Sequence, residues 1–185
     1  MAAAEAALAP LSRALADAGV SDEAGALVVP PEQLIRVLRW LRDEPDQAYD
    51  MLSSLTAIDY LPAEAQARQP ARPGRFEVVY HLCSTVHRRG PIALKCRTAS
   101  RVDPHLPSVT DLYRGAEFQE REAYDLFGIV FDGHPDLRRI LMWEGFADHP
   151  MRKDYRPPDD HEWEPTSHLE EEEARETGKR ASGSP

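Results

Sequence analysis

Cysteine is nearly missing from this chain: two occur among 185 residues, Cys83 and Cys96. Two isolated thiols cannot build a disulfide framework or a paired metal-ligand motif, and both fall in apolar, strand-like surroundings that point to buried side chains. Long apolar runs are missing as well. No stretch approaches the roughly 20 residues that span a bilayer, and the opening residues MAAAEAALAPLSRALADAG hold no basic leader ahead of an apolar stretch. The sequence therefore predicts a cytoplasmic chain with no direct membrane span. Positive charge is outnumbered, 22 Lys and Arg against 32 Asp and Glu, for a formal net charge of -10. Such a surface repels nucleic acid and anionic lipid. There is no phosphate-cradling glycine loop, no Gly-x-Ser-x-Gly elbow, and no Cys near a His in any catalytic signature. No catalytic, cofactor-binding or metal-ligating residue is assigned.

What is present suits one domain with appendages, since 185 residues are long enough for one real core and short for two. Leu8, Leu11 and Leu15 recur at helical spacing and predict a helix over Ala2–Ala18, ended by Gly19. Ala26–Val29 reads as a short buried strand. Pro31 sits where a helix starts, and Leu34, Ile35, Val37, Leu38 and Leu41 give that helix an apolar stripe as far as Asp43. Met51–Tyr60 is ambiguous in period and is taken as a strand, followed by a loop through Gly74. Phe76, Val78, Tyr80 and Leu82 alternate as a half-buried strand does, and Ile92, Leu94 and Cys96 repeat the pattern. The turn between them, His87–Gly90, makes an antiparallel hairpin whose face covers the earlier helix. A second helix is predicted over Thr110–Phe127, stopped by Gly128. The boundaries are a helical segment 1–24, a domain 25–130, an extended partner-binding arm 131–157 and an acidic tail 158–185. From Pro157 to the end there are nine acidic and three basic residues. Such a segment cannot bury enough apolar surface to offset its ordering entropy, and it is predicted to be disordered when free.

The run EREAYDLFG, Glu120–Gly128, crowds Glu120, Glu122 and Asp125 around Arg121. A carboxylate metalloenzyme is one reading. Helical spacing favours another, in which Glu117 and Asp125, each four residues from Arg121, pair with it along one stripe. A di-metal site would want Glu-x-x-His from two helices, and the chain has none. His134, His149, His161 and His168 match no zinc or facial-triad spacing, and the first two each precede a proline, so they are predicted to bond a turn or an interface. In the arm, Arg138, Arg139, Arg152, Lys153 and Arg156 alternate with Leu141, Met142, Trp143, Phe146 and Tyr155. Arginine with large apolar anchors is the composition of a protein interface core. A free-standing module that recruits partners through its acidic tail is the remaining reading.

The run EREAYDLFGIVFDGHPDLRRIL, then a glutamate-glycine-phenylalanine and HPMRKDYRP, closely resembles the C subunit, or thirty-kilodalton subunit family, of respiratory complex I (NADH:quinone oxidoreductase). The resemblance is dense from Phe118 to about Pro157 and looser upstream through LPSVTDLYRGAEF and the strands that begin at Phe76. It implies an α+β fold, a two-layer domain with a mixed, partly antiparallel sheet packed against helices, followed by an extended C-terminal arm. It further implies a peripheral-arm structural subunit lying against the forty-nine-kilodalton-type subunit on the cytoplasmic side of the bacterial membrane. No cofactor is implied for this chain; FMN and iron-sulfur clusters belong to other subunits. The residues carried over are Glu120, Arg121, Glu122, Tyr124, Asp125, Phe127, Gly128, His134, Pro135, Leu137, Arg138, Arg139, Arg152, Lys153 and Asp154, as structural and interface positions. The family also serves membrane-bound hydrogenases and ferredoxin- or F420-linked reductases, so the electron donor stays open. The acidic end, EWEPTSHLEEEEARE, departs from the pattern and leaves its partner open.

Overall fold

The computed structural model describes residues 10–61, 76–143 and 145–156. The expected helix from Ala2, the loop 62–75 and the tail from Pro157 lie wholly or partly outside them. Within the described part, residues 10–14 are helical and Leu11, Leu15 and Ala18 are buried. Gly19 then closes the segment in the left-handed region, at φ 67°, where a side chain would be strained.

Five strands form the main sheet: β1 (Ser21–Asp22), β2 (Leu27–Val29), β3 (Met51–Asp59), β4 (Phe76–Ser84) and β5 (Arg89–Arg97). Their spatial order is β1-β2-β5-β4-β3. β2 runs parallel to β5 and the other neighbours are antiparallel, so the sheet is mixed as expected. Leu34–Asp43 is helix α1, entered through a tight turn at Pro31–Gln33, and Ala116–Phe127 is helix α2. The stripe Leu34, Val37, Leu38 and Leu41 of α1 is fully buried in one cluster with Leu27, Phe76, Tyr80, Leu82 and Leu94 of the sheet and Ala116, Ala123 and Phe127 of α2. Burying each large apolar side chain contributes about 1.5–3 kcal/mol, which makes this face the reason the layers associate.

Four departures from the sequence pattern have physical causes. In β3 the core-facing Leu52 and Leu55 are three apart rather than two, because a register shift between Leu52 and Ser54 inserts an extra residue. That bulge is what blurred the period. In β4 burial is not alternating, since Phe76 through Tyr80 are all buried. The polar member, Glu77, is covered by its partners: the Tyr60 hydroxyl donates to it at 2.8 Å, Arg97 Nε at 2.7 Å, and Lys95 Nζ lies 3.8 Å away. The hairpin turn occupies residues 85–88, two positions before the expected one, held there by the Ser84 hydroxyl accepting the His87 N–H at 3.1 Å and Asp50 accepting the Thr85 N–H at 2.7 Å. And α2 begins at Ala116, not Thr110: the Val109 N–H is taken by the Glu120 side chain and Tyr113 donates its hydroxyl to the Tyr49 carbonyl, which folds 109–113 into a separate turn.

A second, two-stranded parallel sheet joins β6 (His105–Pro107) to β7 (Val130–Asp132). Strands this short leave no periodic trace in the sequence. β7 straddles the expected boundary at residue 130, so ordered pairing extends to Asp132.

Candidate functional site

After β7 the chain returns to the start of α2 and runs along the helix, passing Glu117, Arg121, Asp125 and Phe127 in turn before it reaches the end of β3. Three sets of contacts fasten it.

Asp125 is the central one. Its side chain has no exposed surface. Oδ2 accepts the backbone N–H groups of Ile140 at 3.0 Å, Leu141 at 2.7 Å and Met142 at 2.8 Å, and Oδ1 accepts Arg139 Nη1 at 2.7 Å. Consecutive N–H groups turned toward one point make an anion-binding concavity, here filled by the protein's own carboxylate. Burial alone would raise the Asp125 pKa, but the Met142 and Leu141 N–H groups, the Arg139 guanidinium and the Ile140 N–H outweigh it and hold the group below the usual carboxylate range. Arg139 continues outward, donating to the Asp148 carbonyl at 3.0 Å and lying over the Phe146 ring at 5.6 Å.

The expected pairing of Arg121 with Glu117 and Asp125 is therefore corrected. Arg121 donates to the carbonyls of Arg138 at 3.2 Å and Arg139 at 3.3 Å, and its nearest described carboxylate is Asp136, at 3.9 Å. The arm supplies acceptors closer to a buried guanidinium than its own helix does. Arg138 instead meets Asp136 at 2.8 Å on the surface.

The second set lies at the start of α2. Glu120 and His134 both have fully buried side chains, 4.0 Å apart. Glu120 accepts the Val109 N–H and the Ser108 hydroxyl, each at 2.7 Å. Burial pushes its pKa up to about 7, against the opposing pull of those two donors. The Asp136 N–H donates to His134 Nδ1 at 3.0 Å, so the ring proton sits on Nε2 and is donated to the Glu117 carbonyl, also at 3.0 Å. The expectation that His134 bonds a turn holds. His149 instead bonds the helix, its Nδ1 donating to the Asp125 carbonyl of α2 at 2.9 Å.

The third set closes the far end. Arg101 forks onto Asp59 and reaches Asp154 at 2.6 Å, while the Lys153 N–H donates to Asp59 at 2.8 Å. The Arg101 and Arg152 guanidiniums stack on the Phe76 ring at 4.7 and 5.1 Å, with Phe127 edge-on to it. Gly128, in the left-handed region at φ 72°, has no room for a side chain: a Cβ there would stand 2.5 Å from both Arg152 Nη2 and His149 Nε2.

Of the signature positions, Glu120, Arg121, Asp125, Phe127, Gly128, His134, Arg139, Arg152, Lys153 and Asp154 thus join the arm to the domain, and Leu137 packs against the core. Glu122, Pro135 and Arg138 are exposed, and Tyr124 is half-buried with its ring edge toward His149. Asp59, Phe76, Arg101 and Ser108 were not legible as members, because each is distant in sequence from the run that marks the site. Phe118, Leu141, Trp143 and Met151 keep more than half of their surface exposed, whereas Phe146 turns inward against Trp143 and Tyr155. Among the described residues, no three His, Cys, Asp or Glu are grouped to hold a metal, and no helix is long and apolar enough to cross a membrane.

Known proteins carry the same arrangement of sequence. The chain is 48% identical over 151 residues to the NADH-quinone oxidoreductase C subunit of Roseiflexus castenholzii (strain DSM 13941 / HLO8), covering 80% of each. It is 44% identical over 130 residues to the NADH-quinone oxidoreductase C 2 subunit of Rhizobium meliloti (strain 1021), covering 70% of this chain and 65%, just under two thirds, of that one. Among solved structures, the trypsin-resistant fragment (1-134) of Nqo5 superposes with a TM-score of 0.50 at 36% identity, over 69% of this chain and 98% of the fragment. A chain of the archaeal membrane-bound sulfane sulfur reductase shares the fold, with a TM-score of 0.51 at 22% identity over 91% of this chain and 89% of its own. Residues 27–161, which take in β2 to β7, both helices and the fastened arm, match the family described as respiratory-chain NADH dehydrogenase, 30 Kd subunit, and the chain belongs to that family.

Proposed function

We propose that the chain is a structural subunit of the peripheral arm of a bacterial NADH-quinone oxidoreductase, placed on the cytoplasmic side of the membrane and attached to a forty-nine-kilodalton-type subunit. One observation carries this reading: most of the signature residues fasten the arm across α2, while Phe118 of the helix and Leu141, Trp143 and Met151 of the arm stay exposed. Exposed aromatic and apolar anchors beside arginines fit a protein partner. Two of the three carboxylates that a metalloenzyme would need are already engaged, Asp125 by three N–H groups and Arg139, Glu120 by Val109 and Ser108, and the third, Glu122, is exposed. FMN and iron-sulfur clusters are accordingly assigned to other subunits, and this chain supports electron transfer to quinone by holding its neighbours in place.

Co-expression with a forty-nine-kilodalton-type subunit tests the reading. The two chains are expected to co-purify, and the isolated chain to hold no stoichiometric iron, zinc or flavin. Stoichiometric metal or a flavin absorption band would overturn the scaffold role.

A further inference from the structure

One half-buried arginine of the fastened arm is not matched by a carboxylate. Among the described residues Arg101 meets Asp59 and Asp154, Arg138 meets Asp136, and Arg139 meets Asp125. Arg152 meets a carbonyl only: its Nε donates to Phe127 O at 2.6 Å. Its position is nevertheless fixed. The guanidinium stacks on Phe76, Nη2 lies against Gly128, and the flanking backbone is pinned by Met151 N–H to the Leu126 carbonyl at 3.1 Å and Lys153 N–H to Asp59 at 2.8 Å. Burial and the nearby charge of Arg101 hold its pKa below the usual arginine value, with the charges of Asp154, Asp59 and Asp148 offsetting only part of that. A half-buried cation, held in place by these contacts and without a directly bonded counter-charge, is unfavourable in the free chain.

We infer that Arg152 is an anion receptor of the subunit interface, whose Nη1 and Nη2 take the carboxylate of an Asp or Glu side chain of the partner in an end-on fork. This rests on the scaffold reading and names the chemistry of its contact. With Nε committed inward, the two Nη nitrogens are the donors left, and their spacing suits the two oxygens of one carboxylate. Stacking on Phe76 fixes the fork before binding, so little side-chain entropy is lost when it engages.

The experiment uses the full-length chain with its forty-nine-kilodalton-type partner and the variants Arg152→Met and Arg152→Lys. Arg152→Met keeps much of the length of the side chain and removes the charge. It is expected to weaken association roughly 30-fold or more, as interface hot spots do, while the melting temperature of the free chain falls by no more than about 6 °C for the lost Phe127 and Phe76 contacts. Arg152→Lys, which keeps the charge and loses the fork, should fall between. Substituting partner Asp and Glu residues singly to Ala should reveal one whose effect disappears in the Arg152→Met background. Three results would overturn the inference. One is equal binding by Arg152→Met. Another is a loss of binding that tracks a lowered melting temperature, with no coupled partner carboxylate. The last is a free-anion site, seen as inorganic phosphate raising the melting temperature in an Arg152-dependent way with association unchanged. If the unsubstituted chain fails to bind the partner, the scaffold reading falls too, which separates the two failures.

Discussion

Asp125 and Arg139 meet at 2.7 Å across the seam between α2 and the arm, and the carboxylate has no contact with solvent. The pair joins a residue of the helix to a stretch of backbone that has no secondary structure of its own. Removing the carboxylate leaves three N–H groups without their acceptor and the guanidinium with carbonyl partners only, so Asp125→Ala should destabilise the chain by about 3–5 kcal/mol. The sign with pH follows from the lowered pKa. The unfolded group titrates near about 3.9, and the folded one below it, so its contribution is complete above that range and is lost as pH falls through the folded value. Asp125→Asn should lose that acid-dependent part. Denaturant unfolding at pH 7 and pH 3.5 checks both, and an Asp125→Ala chain within about 1 kcal/mol of the unsubstituted one would refute the clamp.

Double-mutant cycles decide between the two pairings of this region. Arg139→Ala with Asp125→Ala should show a coupling of about 1–3 kcal/mol, since the two are in direct contact. Arg121→Ala with Asp125→Ala should couple much less, because Arg121 is bonded to the Arg138 and Arg139 carbonyls. A larger coupling for Arg121 would restore the i, i+4 helix pairing.

Glu120 gives the opposite pH dependence. Its pKa is raised to about 7 by burial, so between the unfolded value near about 4.3 and the folded one the native state holds the extra proton. Stability from this group is therefore greatest below about pH 4 and declines through pH 7, by a few kcal/mol in all. Glu120→Gln, which never ionises, should melt with a smaller difference between pH 5 and pH 8 than the unsubstituted chain. An unchanged difference would show that Glu120 does not titrate there.

How far the sequence revealed this molecule depended on the range of the interaction. The α1 stripe, β2, the β4–β5 hairpin and the helix stop at Gly128 are local patterns, and all were legible. The mixed α+β class came with the family resemblance. Partner choice was not legible. Arg121 and Asp125 stand four apart on one helix, which suggests a pair, yet Asp125 is satisfied by residues 14 to 17 positions away. No periodicity encodes which of two nearby acceptors a buried guanidinium will reach. Asp59 and Arg101 were missed for the same reason, being 42 residues apart and joined only by the end of the sheet. The arm read as extended because it has no repeat, and in the structure its order comes from side chains of other elements.

Gly128 is where helix ending and arm docking coincide. Gly128→Ala imposes a left-handed conformation on a residue with a Cβ and drives that atom to 2.5 Å from Arg152 and His149. The conformational part costs about 1 kcal/mol, and the clash adds to it unless the arm moves. The expected outcome is a loss of roughly 2 kcal/mol or more together with faster tryptic cleavage after Arg152 and Lys153. A loss of only about 1 kcal/mol with unchanged cleavage would mean that the arm yields without detaching.

A chain ending at Gly133 isolates the contribution of the arm. It keeps all five strands of the main sheet, both helices and the β6–β7 pair. It loses the Arg139 guanidinium and the three N–H groups on Asp125, the carbonyls that hold Arg121, and the His149 and Arg152 contacts over Gly128. Phe76 and Phe127 also lose part of their cover. The strands pair with one another, and both helices share one buried cluster with the main sheet. The shortened chain should therefore keep the circular dichroism of the α+β domain and a cooperative melt. That melt should be lower by roughly 10 °C, since several kcal/mol of contacts are gone and each shifts a chain of this size by about 2–4 °C. Association with the forty-nine-kilodalton-type subunit should disappear, because both the exposed anchors Leu141, Trp143 and Met151 and the Arg152 fork go with the arm. Calorimetry of the shortened chain beside pull-down with the partner measures the two effects separately. Full-strength binding by the shortened chain would place attachment on the sheet and helices, and the fastened arm would then serve the fold alone.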